Sequence, residues 1–200
     1  YDPALADTTT PASRWYAAFH ENGLYRSDDG GESWPTEPVS SLDGHASVFA
    51  VRAHPDDGRT VYVGTDQGLF VSDSLGHDLH PLGDLPSGDV TSVEIDTHEP
   101  SRVYVTVRGD GLYRSEDGGA SFAELRDHDA VRVFVNPGHP DVLYLIGTSK
   151  NSLISADGGA TWYGTESVTT FPGLGRETGW RRWIDGNLAG VVPNPQDSTE

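Results

Sequence analysis

Apolar and polar residues alternate along most of this 200-residue chain in short runs of four to eight, with Val, Tyr and Phe prominent and Pro, Gly, His or Asp closing each run. "VFAVRAHPDDG", "VTSVEIDTHEP" and "VRVFVNPGHPD" show the pattern, as do "RWYAAFH", "TVYVGTD", "RVYVTVR" and "VLYLIGT". That period of two is the signal of half-buried strands, and no comparable helical period is present. The runs also recur in a fixed order. A strand ending in a proline or glycine turn is followed by a second strand, then by a short hairpin strand such as "ENGLYRS", "DQGLFVS", "GDGLYRS" or "KNSLIS", then by an octapeptide.

The octapeptides are "SDDGGESW", "SEDGGASF" and "SADGGATW", with a degenerate copy, "SDSLGHDL", between the first two. They start at Ser27, Ser72, Ser115 and Ser155, in steps of 45, 43 and 40 residues. This is the period of a four-stranded propeller blade. Each unit therefore reads as strands A, B and C, with strand D beginning at the octapeptide aromatic. A lone four-stranded meander exposes both edges and cannot bury both faces, so units of this kind stack side by side. The expected fold is all-β, a β-propeller of four-stranded antiparallel blades, with four repeats at about 1–40, 46–85, 88–127 and 129–170. The run "LAGVVPNPQDSTE" at 188–200 reads as the first strand of a fifth blade, in an arc of a larger ring. A ring of four, closed by that strand, is the alternative.

Ser-x-Asp-x-Gly-x-x-Trp resembles the Asp-box, or BNR, repeat of sialidase-like, sortilin-like and xyloglucanase-like propellers. The Trp-Asp dipeptide of the WD40 variety does not occur. The box residues are Ser27, Asp29, Gly31 and Trp34, then Ser115, Asp117, Gly119 and Phe122, then Ser155, Asp157, Gly159 and Trp162. Each Asp can accept backbone N–H groups of its turn, and the paired glycines permit positive φ. The aromatic covers the hairpin, and a buried Trp N–H needs an acceptor. We read the boxes as architecture. The acid spacing of an EF-hand calcium loop is absent.

In the sialidase-like relatives the boxes lie away from the substrate, so the resemblance points to the opposite face. That face should carry the B–C turns around Glu21, Asp66, Asp110 and Asn151, and the D–A connections. The last connection is the longest, and loops of that length are usually functional or disordered. It holds Trp180, Arg181, Arg182 and Trp183, the one dense aromatic and basic cluster of the chain. Tryptophan faces stack on sugars, and arginine forks bind carboxylates. The alternative is that these tryptophans pack an outer strand while the arginines neutralise nearby acids. No catalytic set is identifiable. A glycosidase needs two carboxylates about 5–10 Å apart across the scissile bond, and the Arg-Ile-Pro element of sialidases is missing. The close pair His77 and His80, with Asp78, would diverge in a strand, so no metal site is assigned.

Charge narrows the partners. With 31 acidic and 13 basic residues the formal net charge is −18, and Lys150 is the only lysine. Such a surface disfavours nucleic acid and anionic membranes, and it suits a protein kept soluble in concentrated salt, or an ordinary acidic one. There are no cysteines, and no apolar run approaches the length of about 18 residues of a membrane-spanning helix. No signal segment is seen, and the absence of methionine suggests a processed or excised piece. We expect no cofactor. The function expected is a ligand-binding or scaffolding propeller, extracellular or at the cell surface, that recognises glycan or peptide opposite the boxes and adjoins the remaining blades of a larger ring. A glycoside hydrolase of sialidase-like or xyloglucanase-like kind, of which this is part, and a protein assembly factor are the alternatives.

Overall fold

A computed structural model describes residues 14–19, 23–40, 47–148 and 152–164. The alternating runs form fourteen strands: β1 (Trp15–Phe19), β2 (Gly23–Ser27), β3 (Val48–Ala53), β4 (Val61–Thr65), β5 (Gly68–Ser72), β6 (His80–Pro81), β7 (Val90–Ile95), β8 (Val103–Val107), β9 (Gly111–Ser115), β10 (Ala123–Asp127), β11 (Ala130–Asn136), β12 (His139–Gly147), β13 (Leu153–Ser155) and β14 (Tyr163–Gly164). All pair antiparallel with their sequence neighbours, giving the sheets β3-β4-β5-β6, β7-β8-β9-β10 and β11-β12-β13-β14. The first sheet has β1 and β2 among the described residues, with a further bridge from Leu24 to Ser40. No helix occurs among the described residues. The fourth strands begin one residue after the octapeptide position of the aromatic, at His80, Ala123 and Tyr163.

The first strands of successive sheets lie against one another. Ser92 Oγ accepts the N–H of Val133 at 3.4 Å and donates to its carbonyl at 3.5 Å, joining β7 to β11. Arg52 of β3 pairs with Glu94 of β7. Near its start each of these strands carries the same irregularity, at Phe49, Thr91 and Val131, where one extra residue interrupts the register. Sheets that meet along their first strands and bury both faces between neighbours form a propeller arc, as the repeat period requires.

The core lies between the sheets. Val61, Val103 and Leu143 share one register position, each opposite the first serine of an octapeptide, and all three are fully buried. One cluster joins Tyr62, Leu69 and Val71 to Val93, Val105 and Tyr113, and another joins Tyr104 and Leu112 to Val133, Leu143 and Leu145.

Candidate functional site

The octapeptide turns are built alike. In the third copy Ser115 Oγ donates to Asp117 Oδ1 at 2.7 Å and accepts the N–H of Gly119 at 2.7 Å. Asp117 in turn accepts the N–H of Ser121 at 2.9 Å and its hydroxyl at 2.6 Å. The same set of bonds recurs around Ser27 and Asp29, and around Ser155 and Asp157. Each carboxylate is therefore held in its charged form by hydroxyl and backbone donors. The pKa of Asp117 falls to about 2, and those of Asp29 and Asp157 are also lowered. The indole N–H groups of Trp34 and Trp162 donate to the carbonyls of Gly31 and Gly159, at 3.2 and 2.9 Å.

The fourth residue of each of the last three turns ties two sheets together. The N–H groups of Leu75, Gly118 and Gly158 donate to carbonyls of Arg59, Ser101 and Asp141 in their own sheet, at 2.9, 2.7 and 2.9 Å. Their own carbonyls accept from the preceding sheet: from Arg26 at 3.0 Å, Tyr62 at 3.0 Å and Arg114 at 2.9 Å respectively. The fifth residue is glycine in every copy, and in the last three copies it is the seat for a side chain of the preceding sheet, in or beside its last strand. A Cβ on Gly119 would lie 2.6 Å from Leu82, one on Gly159 2.6 Å from Leu125, and one on Gly76 3.1 Å from Val39. Sequence reading assigned the turns to architecture but missed this joining of sheets. Its signal is the Tyr recurring at 16, 62, 104 and 144, and the Arg at 26 and 114.

The degenerate turn keeps the serine bonds and replaces the rest. Ser72 Oγ accepts the N–H of Gly76 at 3.1 Å, and Ser74 Oγ donates to the His77 carbonyl at 2.8 Å. Leu75 and Asp78 take positive φ, 62° and 51°, without being glycine. His77 Nδ1 lies 3.1 Å from the Val39 carbonyl, whereas His80 Nδ1 lies 3.1 Å from that of Asp78, so the two rings have different partners.

The opposite face holds the β4–β5 and β8–β9 turns and the connections leading into β3, β7 and β11. Each connection is fastened to the residue that follows the second strand. Asp66, Arg108 and Thr148 donate their N–H groups to the carbonyls of Ser47, Asp89 and Asp129, at 3.1, 2.9 and 3.1 Å. The side chains repeat the pairing. Asp66 Oδ1 accepts the N–H of Ser47 at 3.1 Å, Arg108 Nη1 meets Asp89 Oδ2 at 3.0 Å, and the Thr148 hydroxyl donates to Asp129. Asp110 accepts the phenol of Tyr113 at 2.7 Å, and burial together with that carboxylate raises the Tyr113 pKa far above the usual range. The Arg108 guanidinium stacks 5.3 Å from the centre of the Phe49 ring. On the inner strands, Arg52 grips both oxygens of Glu94; burial raises the Glu94 pKa, while Arg52 and Arg132 oppose that rise.

Of the residues expected on this face, Asp66 and Asp110 are therefore present in turns of neighbouring sheets, where Asp66 accepts from the connection leading into β3 and Asp110 from Tyr113 of β9. Glu21, Asn151, Trp180, Arg181, Arg182 and Trp183, and the fifth-blade segment at 188–200, lie outside the described residues. What this face offers chemically is an exposed arginine on an aromatic ring and a rim of carboxylates already hydrogen-bonded.

No protein-family model matches the chain. Its sequence is similar to an oligoxyloglucan-reducing end-specific xyloglucanase of Emericella nidulans, 27% identical over 164 residues, covering 70% of this chain and 20% of that enzyme. Among solved structures, the GH74 xyloglucanase from Xanthomonas campestris superposes with a TM-score of 0.62 at 17% identity, covering 78% of this chain and 29% of that one. An ancestral GH74 enzyme superposes with a TM-score of 0.61 at 21% identity, over 76% and 22% of the two chains. YCF48 from Cyanidioschyzon merolae gives 0.59 at 15% identity, over 78% and 53%. These structures share the propeller fold, and the chain spans between about a fifth and a half of the length of the proteins it matches.

Proposed function

We propose that this chain forms glycan-recognising blades of a glycoside-hydrolase-like propeller, binding or scaffolding a polysaccharide on the face opposite the octapeptide turns. We read those turns as Asp-box repeats, on their shared serine, aspartate and glycine bonding. The observation that carries the reading is the use of the acids on the opposite face. Asp66, Asp89, Asp110 and Asp129 each hold a turn or connection in place. A glycosidase instead needs one carboxyl with a raised pKa and a second one about 5–10 Å from it across the bond; Glu94, whose pKa burial raises, is held at both oxygens by Arg52. Such a face suits ligand contact by stacking and hydrogen bonding. The ligand class, a xyloglucan-type β-glucan, is suggested by the similarity to the Emericella nidulans enzyme. That similarity also favours a second reading, in which these blades belong to a glycosidase and help to line its cleft. Trp180, Arg181, Arg182 and Trp183 are the residues proposed to contact the ligand, with Glu21, Asp66 and Asp110 at the rim.

Calorimetric titration of xyloglucan oligosaccharides into the chain in high salt, with a reducing-sugar assay alongside, tests both readings. The expected result is binding without sugar release, weakened about tenfold or more in Trp180→Ala or Trp183→Ala. Release of sugar would replace the binding reading by the enzymatic one. Neither binding nor release by a folded sample would overturn both in favour of a protein-binding scaffold.

A further inference from the structure

On the face opposite the octapeptide turns, the three four-stranded sheets repeat two positions. Asp66, Arg108 and Thr148 follow the second strands, and Phe49, Thr91 and Val131 stand at the irregularity of the first strands. Fastening the incoming connection needs only a short polar side chain at the first position, as Asp66 and Thr148 show. At the second position Thr91 spends its hydroxyl on Thr106, 3.0 Å away in the core, and Val131 has no polar group to spend. Arg108 and Phe49 therefore exceed what the fold asks for at both positions, and the two meet across a sheet boundary. The guanidinium of Arg108, in the third sheet, lies 5.3 Å from the centre of the Phe49 ring in the second. The Arg108 side chain is 51% exposed, and Asp89 meets it at Nη1 alone, at 3.0 Å. A guanidinium has five N–H donors, and among the described residues no hydrogen bond engages Nε or Nη2.

The charges around this arginine decide what it can hold. Asp89 cancels its charge, Asp66 and Asp110 stand on the same face, and the chain as a whole carries a formal charge of −18. A carboxylate or sulfate group approaching the fork meets no net positive site, only the surrounding negative field. Hydroxyl groups accept the same N–H donors without bringing charge, and hydrogen bonds from an ionised donor are the stronger kind. We propose that Arg108, held by Phe49 and Asp89, is a specificity-determining contact that donates its Nε and Nη2 hydrogens to the hydroxyl groups of an uncharged glycan, while the acidic rim turns acidic glycans away. This inference rests on the reading of the face as glycan-binding, and adds to it a contact residue and the charge class of the sugar.

The test is calorimetric titration of xyloglucan oligosaccharides, and of oligogalacturonate of equal length, into the full chain in 0.15 M and 1 M KCl. The native sequence is compared with Arg108→Ala, Arg108→Lys and Arg126→Ala, the last removing an exposed arginine from β10. Unfolding curves establish that each variant is folded. Xyloglucan binding should weaken about tenfold or more in both Arg108 variants, because an ammonium reproduces the charge but not the fork, and should be unchanged in Arg126→Ala. The native chain should prefer the neutral oligosaccharide by about tenfold or more in 0.15 M KCl. That preference should narrow in 1 M KCl, where the screening length is about 3 Å. Xyloglucan binding unchanged in both Arg108 variants would overturn the proposal, and so would native-like binding by Arg108→Lys, which would assign a point charge. Oligogalacturonate bound by the native chain as tightly as xyloglucan in 0.15 M KCl would overturn the exclusion of acidic glycans. A native chain that binds neither sugar would overturn the glycan reading of the face, and the role of Arg108 with it. Binding lost in Trp183→Ala but kept in both Arg108 variants would remove the role of Arg108 alone.

Discussion

The octapeptide aspartates show how an exposed residue can still contribute to stability. Asp117 is charged, and it accepts three bonds from Ser115 and Ser121 that a protonated carboxyl would weaken. Its folded pKa of about 2 lies below the ordinary 3.8, so its contribution is complete above about pH 4 and is lost as the pH falls towards about 2. Asp29 and Asp157 shift the same way. Denaturant midpoints should therefore fall steeply between about pH 4 and pH 2, and Asp117→Asn should lower the midpoint at pH 6 by more than it does at pH 2. The two tyrosines at equivalent places in β4 and β8 give a sharper contrast. The Tyr62 hydroxyl donates to Gly118 at 3.0 Å. That of Tyr104 is buried without a partner among the described residues, because Arg114 takes the corresponding carbonyl of Gly158. Tyr62→Phe should cost about 1 kcal/mol, and Tyr104→Phe should be neutral or stabilising by up to about 1 kcal/mol, since it removes an unsatisfied buried group. Equal losses in thermal or chemical unfolding would contradict this assignment.

At the scale of the element, a turn is also a joint between sheets. Gly119 has φ +94° and faces Leu82 at a distance a Cβ cannot share, while Gly109 has φ +75° with nothing within 4 Å. Gly109→Ala should therefore cost only the backbone strain of about 1–2 kcal/mol. Gly119→Ala should add the displacement of Leu82, about 1–3 kcal/mol more. Comparing the two unfolding curves separates the requirement for positive φ from the requirement for space. The strands were legible in the sequence because alternation records one buried and one less buried face, and because the octapeptide spacing sets the phase of every unit. Contacts between sheets were not legible. The donor that reaches the next turn is Arg26 or Arg114 on a third strand but Tyr62 on a second strand, a change visible only when Val71 is seen to stand where those arginines do. For the same reason Asp66 and Asp110 could be placed on one face from topology, but their use as acceptors for Ser47 and Tyr113 depends on a connection and a rotamer that no spacing encodes.

For the molecule as a whole, charge is the property that composition imposes most strongly and that local pairing leaves uncancelled. Arginines are drawn into pairs and between sheets: Arg52 to Glu94, Arg102 to Asp96 and Glu116, and Arg108 to Asp89. Carboxylates such as Glu32, Asp56, Asp73 and Asp127 stay on the exposed surface. The compact state holds these charges closer together than the unfolded chain does, so their repulsion opposes folding. Salt weakens repulsion between exposed charges more than it weakens a part-buried pair such as Arg102 with Asp96. We therefore propose that the acidic surface suits concentrated salt, and that the melting temperature rises between 0.05 M and about 2 M KCl. Replacing Glu32, Asp56, Asp73 and Asp127 together by their amides should raise the melting temperature in 0.05 M KCl and leave it nearly unchanged in 2 M KCl. A rise with salt of the same size in the native and amide chains would assign the effect to general salting-out of apolar surface, and the charge argument would fail.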